Sequence, residues 1–453
     1  AFFPGRRNYS FTDLKLTSPQ SADGRAAVTV TAAGTDKAAE LQVQWSLGAT
    51  DRWLTVESTW KNTTPGDLTI VLEDDLRADG GKEDMVKCPD GTRQLYWFHD
   101  IHWQQAYGVH ARGGRMRVKG GSRESVLTYE LEDGRSLVLK PGESFSLQRQ
   151  IYVNVDLPAV RADYLTSLGA ADTLRSVVLQ VTSRQRPISG ARVDLSIGDD
   201  SVGTVVTGAD GTVPVRLLAG EVQAVVSIDG QQFPARVATA AQDRLQVVVD
   251  EYQWGTAELQ IVDEAGHPLA AKVEFTGHEG TVTPRWAPDT GEYFVKNLAY
   301  TVNGQLQARL AAGEYDVTIS HGPEYNAEFT KVKIEDGGTT ARRVVLPRVV
   351  ATEGWVSADF HSHSSPSGDN TSSQLGRVLN LVAEHIEFAP CTEHNRVSTY
   401  SGHLRALQLT GAMASVEGME MTGQPLPLNH QNVFPMRFRP GVQDGGGPTA
   451  DAS

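Results

Sequence analysis

The chain has 453 residues, 40% of them hydrophobic and 21% charged, with a formal net charge of −14. That length accommodates about three or four domains of roughly 100–200 residues each. The negative balance argues against non-specific nucleic-acid binding, and no apolar run approaches the ~20 residues that a transmembrane helix needs. From residue 1 to about 157, short runs of period-two alternation recur at 27–31, 41–45, 53–56, 68–72, 125–129 and 145–153, broken by Gly, Asp, Asn and Pro. This pattern predicts an antiparallel β-sandwich. Within it, the run Tyr96-Trp97-Phe98-His99-Asp100-Ile101-His102-Trp103 is either a sugar- or metal-binding surface or a packed aromatic corner; the second is the expectation, because aromatics dominate such cores.

Residues 158–174 carry Val160, Tyr164, Leu165, Leu168 and Leu174 at roughly helical spacing and read as a linker helix. The chain then repeats itself. Leu179-Gln180-Val181 leads to Arg186-Pro187-Ile188-Ser189-Gly190-Ala191-Arg192-Val193, and Leu259-Gln260-Ile261 leads to His267-Pro268-Leu269-Ala270-Ala271-Lys272-Val273. The second halves match through Asp210-Gly211 and Asn303-Gly304, turn-forming pairs. These elements resemble carboxypeptidase regulatory-like (transthyretin-like) β-sandwich modules, which implies module 1 over 175–249 and module 2 over 250–349. The second copy has an insert, 280–301, long enough to reach a neighbouring site but expected to be a plain surface loop.

From about residue 350 the pattern becomes strand–loop–helix. Residues 355–360 read as a strand ending in Asp359-Phe360-His361-Ser362-His363, and histidines at i and i+2 on extended backbone share a face. Leu375, Val378, Leu379 and Val382 mark a helix that Asn370, Thr371 or Ser372 can cap. Strands follow over 386–391, 412–421 and from about 429, with a second helix over 400–409. Alternating elements predict a parallel sheet or β/α barrel, whose reactive groups sit at strand ends. There the sequence places His361 and His363, Glu393 and His394, and Glu420. Mixed imidazole and carboxylate donors suit Zn, Mn or Fe, and such ions can activate water to hydroxide for attack. His385 and His403 read as ordinary hydrogen-bonding histidines.

The motifs Asp359-Phe360-His361-Ser362-His363, Ser367-Gly368-Asp369, Thr392-Glu393-His394-Asn395 and Gly418-Met419-Glu420 resemble those of the PHP (polymerase and histidinol phosphatase) domain, nearest its CehA/McbA-type metallohydrolases. The resemblance implies a distorted β/α barrel with two or three divalent metal ions held by His361, His363, Asp369, His394, Glu420 and His430, Glu420 bridging two of them. Asp359, Glu393 and Asn395 would support these ligands from outside. Glu393 replaces the family's usual Asp, and Asp369 stands one residue further from the first histidine than is commonest. The implied activity is hydrolysis of a phosphoester or of a carboxyl or carbamate ester by metal-bound hydroxide, on a small-molecule substrate.

The family's later motifs, a further His and a closing Asp-x-His, do not follow His430, and residues 350–453 are too few for a barrel of about 200 residues or more. The expectation is therefore a metallohydrolase region shortened at its C-terminal side and lacking its last ligands. The first residue is Ala1 with no visible signal peptide, as in a processed precursor or a fragment. Cys88 and Cys391 lie far apart, so no disulfide joins them in this reading. Sandwich modules of this kind are frequent outside the cytoplasm, which points to export. The competing reading is a non-catalytic envelope scaffold that binds glycans or a partner and carries a degenerate PHP-like domain. A polymerase-associated role fits poorly with sandwich modules and negative charge.

Overall fold

The computed structural model describes residues 2–4, 11–17, 19–34, 39–77, 85–89, 95–100, 105–112, 114–119, 124–131, 137–198, 200–218, 221–238, 243–287, 291–367, 369–423 and 430–448. These are mostly β-strands in several sheets, with few helices. The chain divides into two compact units. One comprises Ala1–Thr182, Pro187–Val226 and Pro234–Val248; the other comprises Ser183–Arg186, Ser227–Phe233 and Val249–Ser453. No helix among the described residues is long and apolar enough to cross a membrane.

In the N-terminal region a nine-stranded and a four-stranded antiparallel sheet share a core. Alternation produces it directly: along Ala39–Gly48, Ala39, Leu41 and Val43 are buried while Glu40, Gln42 and Gln44 are exposed. The inward set meets Val56, Trp60, Leu127 and Leu147, each burial contributing about 1.5–3 kcal/mol for an aliphatic side chain. An ion pair crosses this core. Arg149, on the nine-stranded sheet, places Nε 3.0 Å from Asp74 Oδ2 on the four-stranded sheet, and both side chains are fully buried. Tyr96 and Phe98 are buried in this core and Trp97 in a second cluster on the other face of its strand, as the packed-corner reading expects, whereas Ile101, His102 and Trp103 lie outside the described residues.

The helix α1 spans Leu157–Ser167, capped by Asp156, whose Oδ1 accepts from the Ala159 amide at 2.7 Å. It buries Leu157, Val160 and Tyr164 against Trp97, Ala106 and Tyr152. It is shorter than 158–174 because Gly169 turns to φ 78° and Leu174 already begins the next strand.

The sequence repeat is also a repeat of pairings. The strand Leu174–Ser183 pairs antiparallel with Thr212–Leu218 and parallel with Arg244–Val248. Trp254–Val262 does the same with Gln305–Ala311 and Thr339–Val345. Equivalent hydrogen bonds recur: the Val181 amide donates to Gly211 O at 2.9 Å and the Ile261 amide to Gly304 O at 2.7 Å. The insert in the second copy is more than a surface loop. It contains the strands Phe294–Val295 and Leu298–Thr301, Trp286 packs against Phe275 and Phe294, and Tyr300 packs on Leu379 and Ala383.

Past residue 350, regular structure is sparse. The strand expected over 355–360 reduces to a single parallel bridge, Ala358 to Phe388, which continues to Ala414. Trp355 and Val356 are exposed and make no ladder among the described residues. The helix α2, Gln374–Ala383, is capped by Ser373 rather than by residues 370–372; its Oγ accepts from the Gly376 amide and donates to Glu292 of the insert. α2 packs Val378, Leu381 and Val382 on Ala389, Cys391 and Tyr400. α3 is only Ser401–Ala406. Met419–Met421 pairs antiparallel with Gln431–Val433, so the pairing here is mixed rather than purely parallel. Cys391 is a free, buried thiol.

Candidate metal centre

The loop after Ala358 keeps the alternation of an extended chain. Ser362 and Ser364 point inward and are buried, while His361 and His363 point the other way. The inward side is pinned by hydrogen bonds. The Ser362 amide donates to Thr392 Oγ1 at 2.9 Å, Thr392 Oγ1 donates to Ser362 O at 3.0 Å, and Ser362 Oγ lies 2.9 Å from the Tyr400 hydroxyl. Asp359 turns the chain into this loop, its Oδ1 accepting from the His361 amide at 3.0 Å.

The next segment is held in register by main-chain bonds. The Asn395 amide donates to Glu420 O at 2.8 Å and the Glu420 amide to Glu393 O at 2.9 Å. Asn395 adopts φ 49°, a conformation its short polar side chain tolerates, and clasps Thr422 through both its amide atoms. His394 therefore faces Glu420.

Glu420 is the centre of the cluster, its side chain 1% exposed. Its Oε2 lies 2.9 Å from His363 Nε2, 3.1 Å from His361 Nε2 and 3.2 Å from His394 Nδ1, and its Oε1 lies 2.6 Å from His430 Nδ1. Asp369 closes the other side, with Oδ2 2.9 Å from His394 Nε2. Three overlapping trios result: His361, His363 and Glu420; His363, Asp369 and His394; His394, Glu420 and His430. Within each trio the ligand atoms lie within 4.8 Å of one another. All six residues expected as ligands thus come together at one place, and of the expected supporting residues Asp359 and Asn395 shape the backbone while Glu393 lies buried beneath.

Burial works to raise the Glu420 carboxyl, but hydrogen bonds from His430 and His361 and the charges of His394 and His363 outweigh it and hold the group below its usual range. Burial, helped by His394, pushes the His363 imidazole down, against the pull of Asp369 and Glu420. The site opens on one side, where His361 and His430 are 53% and 57% exposed. On the same segment the half-exposed Phe360 ring stacks on Phe434, 6.0 Å between centroids and 8° between planes.

The donor chemistry fits a divalent cation. Four imidazoles and two carboxylates converge, and the Nε2 atoms of His361 and His363 face each other at 2.7 Å beside a carboxylate oxygen. An imidazole nitrogen without its proton and a carboxylate oxygen each offer a lone pair to a metal ion. Ser367, which touches His363 and His394, enters the sequence reading only as part of the Ser367-Gly368-Asp369 motif and with no role of its own, and Thr422, whose Oγ1 lies 2.6 Å from His394 Nδ1, does not enter it. A serine or threonine has no spacing signature, and only the folded chain brings these hydroxyls to the rings.

No family model matches the chain, and no curated protein sequence matches it. Among solved structures, an alpha-galactosidase from Lactobacillus brevis aligns at 10% identity and a TM-score of 0.28, covering 40% of this chain and 33% of that one. An alpha-galactosidase from Geobacillus stearothermophilus aligns at 11% identity and a TM-score of 0.27, covering 40% and 34%. The TIE protein of Bacillus anthracis aligns at 11% identity and a TM-score of 0.17, covering 76% and 59%. The chain spans about a third of the length of these galactosidases. Scores this low carry no argument about fold or chemistry.

Proposed function

We propose that residues 350–453 belong to a PHP-type, CehA/McbA-like metal-dependent hydrolase, preceded by β-sandwich modules of the carboxypeptidase regulatory-like kind. The observation that carries this reading is Glu420: a carboxylate buried among four histidines, with Asp369 completing the ring of donors. His361, His363, Asp369, His394, Glu420 and His430 would hold two or three divalent ions, with Zn, Mn or Fe favoured by the mixed donors.

Bound ions would supply Lewis-acid polarisation of a phosphoester or of a carboxyl or carbamate ester, and would lower the pKa of water. The chain's own part is positional. Glu420 holds His361, His363, His394 and His430 around one point, and the interleaved Ser362 and Ser364 anchor the loop so that both histidines stay on the same face. The exposed edge at His361 and His430 is the side from which a small ester can enter. The net charge of −14 leaves nucleic acid a poor candidate substrate.

The test is elemental analysis of the purified chain after equilibration with Zn, Mn or Fe, beside His361→Ala and Glu420→Ala, with turnover of generic phospho- and carboxyl esters measured in parallel. Metal retained by the parent and lost in Glu420→Ala is expected. Equal metal content in parent and variants sinks the assignment and leaves the binding-scaffold reading in its place.

A further inference from the structure

Ser367 stands between a buried carboxylate and two nitrogens. Its Oγ is 2.5 Å from Glu393 Oε2, 2.9 Å from His363 Nδ1 and 3.0 Å from the His394 amide nitrogen. A hydroxyl has one proton to donate and two lone pairs with which to accept. Glu393 is fully buried, and its neighbours are donors: the Ser364 amide reaches Oε2 at 2.9 Å, while the Ser364 hydroxyl and Gln374 Nε2 reach Oε1. Its Oε2 therefore accepts, and the Ser367 proton goes to it. The His394 N–H occupies one Ser367 lone pair. Only the second lone pair is left for His363, so the ring nitrogen facing Ser367 must be the one that carries a proton.

We propose that Ser367, held by Glu393, is a positioning residue that fixes His363 as the Nδ1–H tautomer and leaves Nε2 bare. Asp369 Oδ1, 3.4 Å from Nδ1, is a further acceptor on the same side of the ring. The bare Nε2 then points at Glu420 Oε2, 2.9 Å away, and at His361 Nε2, 2.7 Å away. A lone pair facing a carboxylate oxygen is repulsive until a cation lies between them, so the relay aims His363 as a ligand rather than as a hydrogen-bond donor. The use made of that lone pair rests on the metal-centre reading; the tautomer itself does not. An oriented proton on the far nitrogen is the usual way a neighbouring acceptor tunes a ligating histidine.

The experiment is nitrogen-15 NMR of the full chain, labelled at histidine and stripped of metal, with the His363 signals identified by their loss in His363→Gln. The expected result is a pyrrole-like Nδ1 and a pyridine-like Nε2 in the parent, a shift toward the Nε2–H tautomer in Ser367→Ala, and recovery in Ser367→Thr. Zinc titrations of the same proteins are expected to show binding about 10–100-fold weaker in Ser367→Ala, restored by threonine. A parent ring protonated at Nε2 overturns the proposal without any variant being needed, and so does an unchanged tautomer in Ser367→Ala. A parent with the expected tautomer that takes up no zinc supports the Ser367 assignment and overturns the metal-centre reading instead.

Discussion

His321 shows how one buried side chain ties stability to pH. Its ring lies 4.8 Å from that of His385 and 4.7 Å from that of Tyr325. Burial, with His385 adding to it, pushes its pKa down to about 4, although the carbonyls of Ala383 and Ala270 and the Glu324 carboxylate pull the other way. An unfolded histidine titrates near 6.5, so below that pH the unfolded chain takes up the proton first. The contribution is complete above about pH 6.5 and is lost as pH falls toward 4. Urea unfolding of the parent should lose about 2 kcal/mol more than His321→Phe between pH 7 and pH 5; parallel pH profiles for the two proteins would remove His321 from this role. At the same scale, the six residues that converge at Glu420 are readable in the sequence because they are His, Asp and Glu, the first two spaced i and i+2. Ser367 and Thr422 are not readable, since a hydroxyl acquires its partner only when segments distant in sequence meet.

Gly211 and Gly304 occupy equivalent places in the two sandwich modules, at φ 73° and 71°. A Cβ on Gly304 would fall 2.4 Å from Ile261 O and 3.2 Å from the Leu269 nitrogen, and one on Gly211 would fall 2.9 Å from the Ile188 nitrogen. Gly304→Ala therefore combines a left-handed conformation with a clash against main chain that cannot rotate away, and should cost more than about 1 kcal/mol. Chemical denaturation checks this, and an unchanged midpoint would mean that the turn relaxes. The repeat and its turns were legible from the sequence because turn chemistry is local. Beyond residue 350 the reading held in part: Met419–Met421 and Gln431–Val433 fall within the strands expected over 412–421 and from about 429, but 355–360 forms none. Residues 355–360 have the apolar content of a strand, but a strand also needs a partner along its length, and Ala358 finds one only at Phe388. The insert at 280–301 misled in the opposite direction: its Pro and Gly residues read as loop, whereas Tyr300 and Glu292 are committed to α2.

Over the whole molecule, two kinds of construction coexist. The sandwich regions are held by long ladders, such as the nine-residue strand Trp254–Val262 paired on both edges. The candidate metal-centre region is held by one short ladder, Met419–Met421 with Gln431–Val433, and by isolated bridges at Ala358, Phe388, Cys391 and His394, tied together by side-chain hydrogen bonds through Ser362, Thr392, Glu393 and Tyr400. The composition and charge of the chain, which bound its class well, do not distinguish these two constructions.

A bridge one residue long shares no cooperativity with a neighbour, so each can open without its ladder unzipping. In hydrogen-exchange terms, the amides of Asp359, Ala389, Cys391 and Asn395 should exchange through small local openings while those of 254–262 wait for larger ones. A cation at the centre would join the openings together, because releasing any one segment would then require releasing the ion. Saturating zinc should slow exchange at all four amides by a common factor and leave 254–262 unchanged, as amide exchange followed by mass spectrometry would record. Unequal slowing, or none, would mean that the loops open independently of the His, Asp and Glu side chains they carry. With bridges this short at Ala358, Phe388 and Cys391, a common slowing would mean that much of the region's rigidity comes from a bound ion rather than from its backbone pairing.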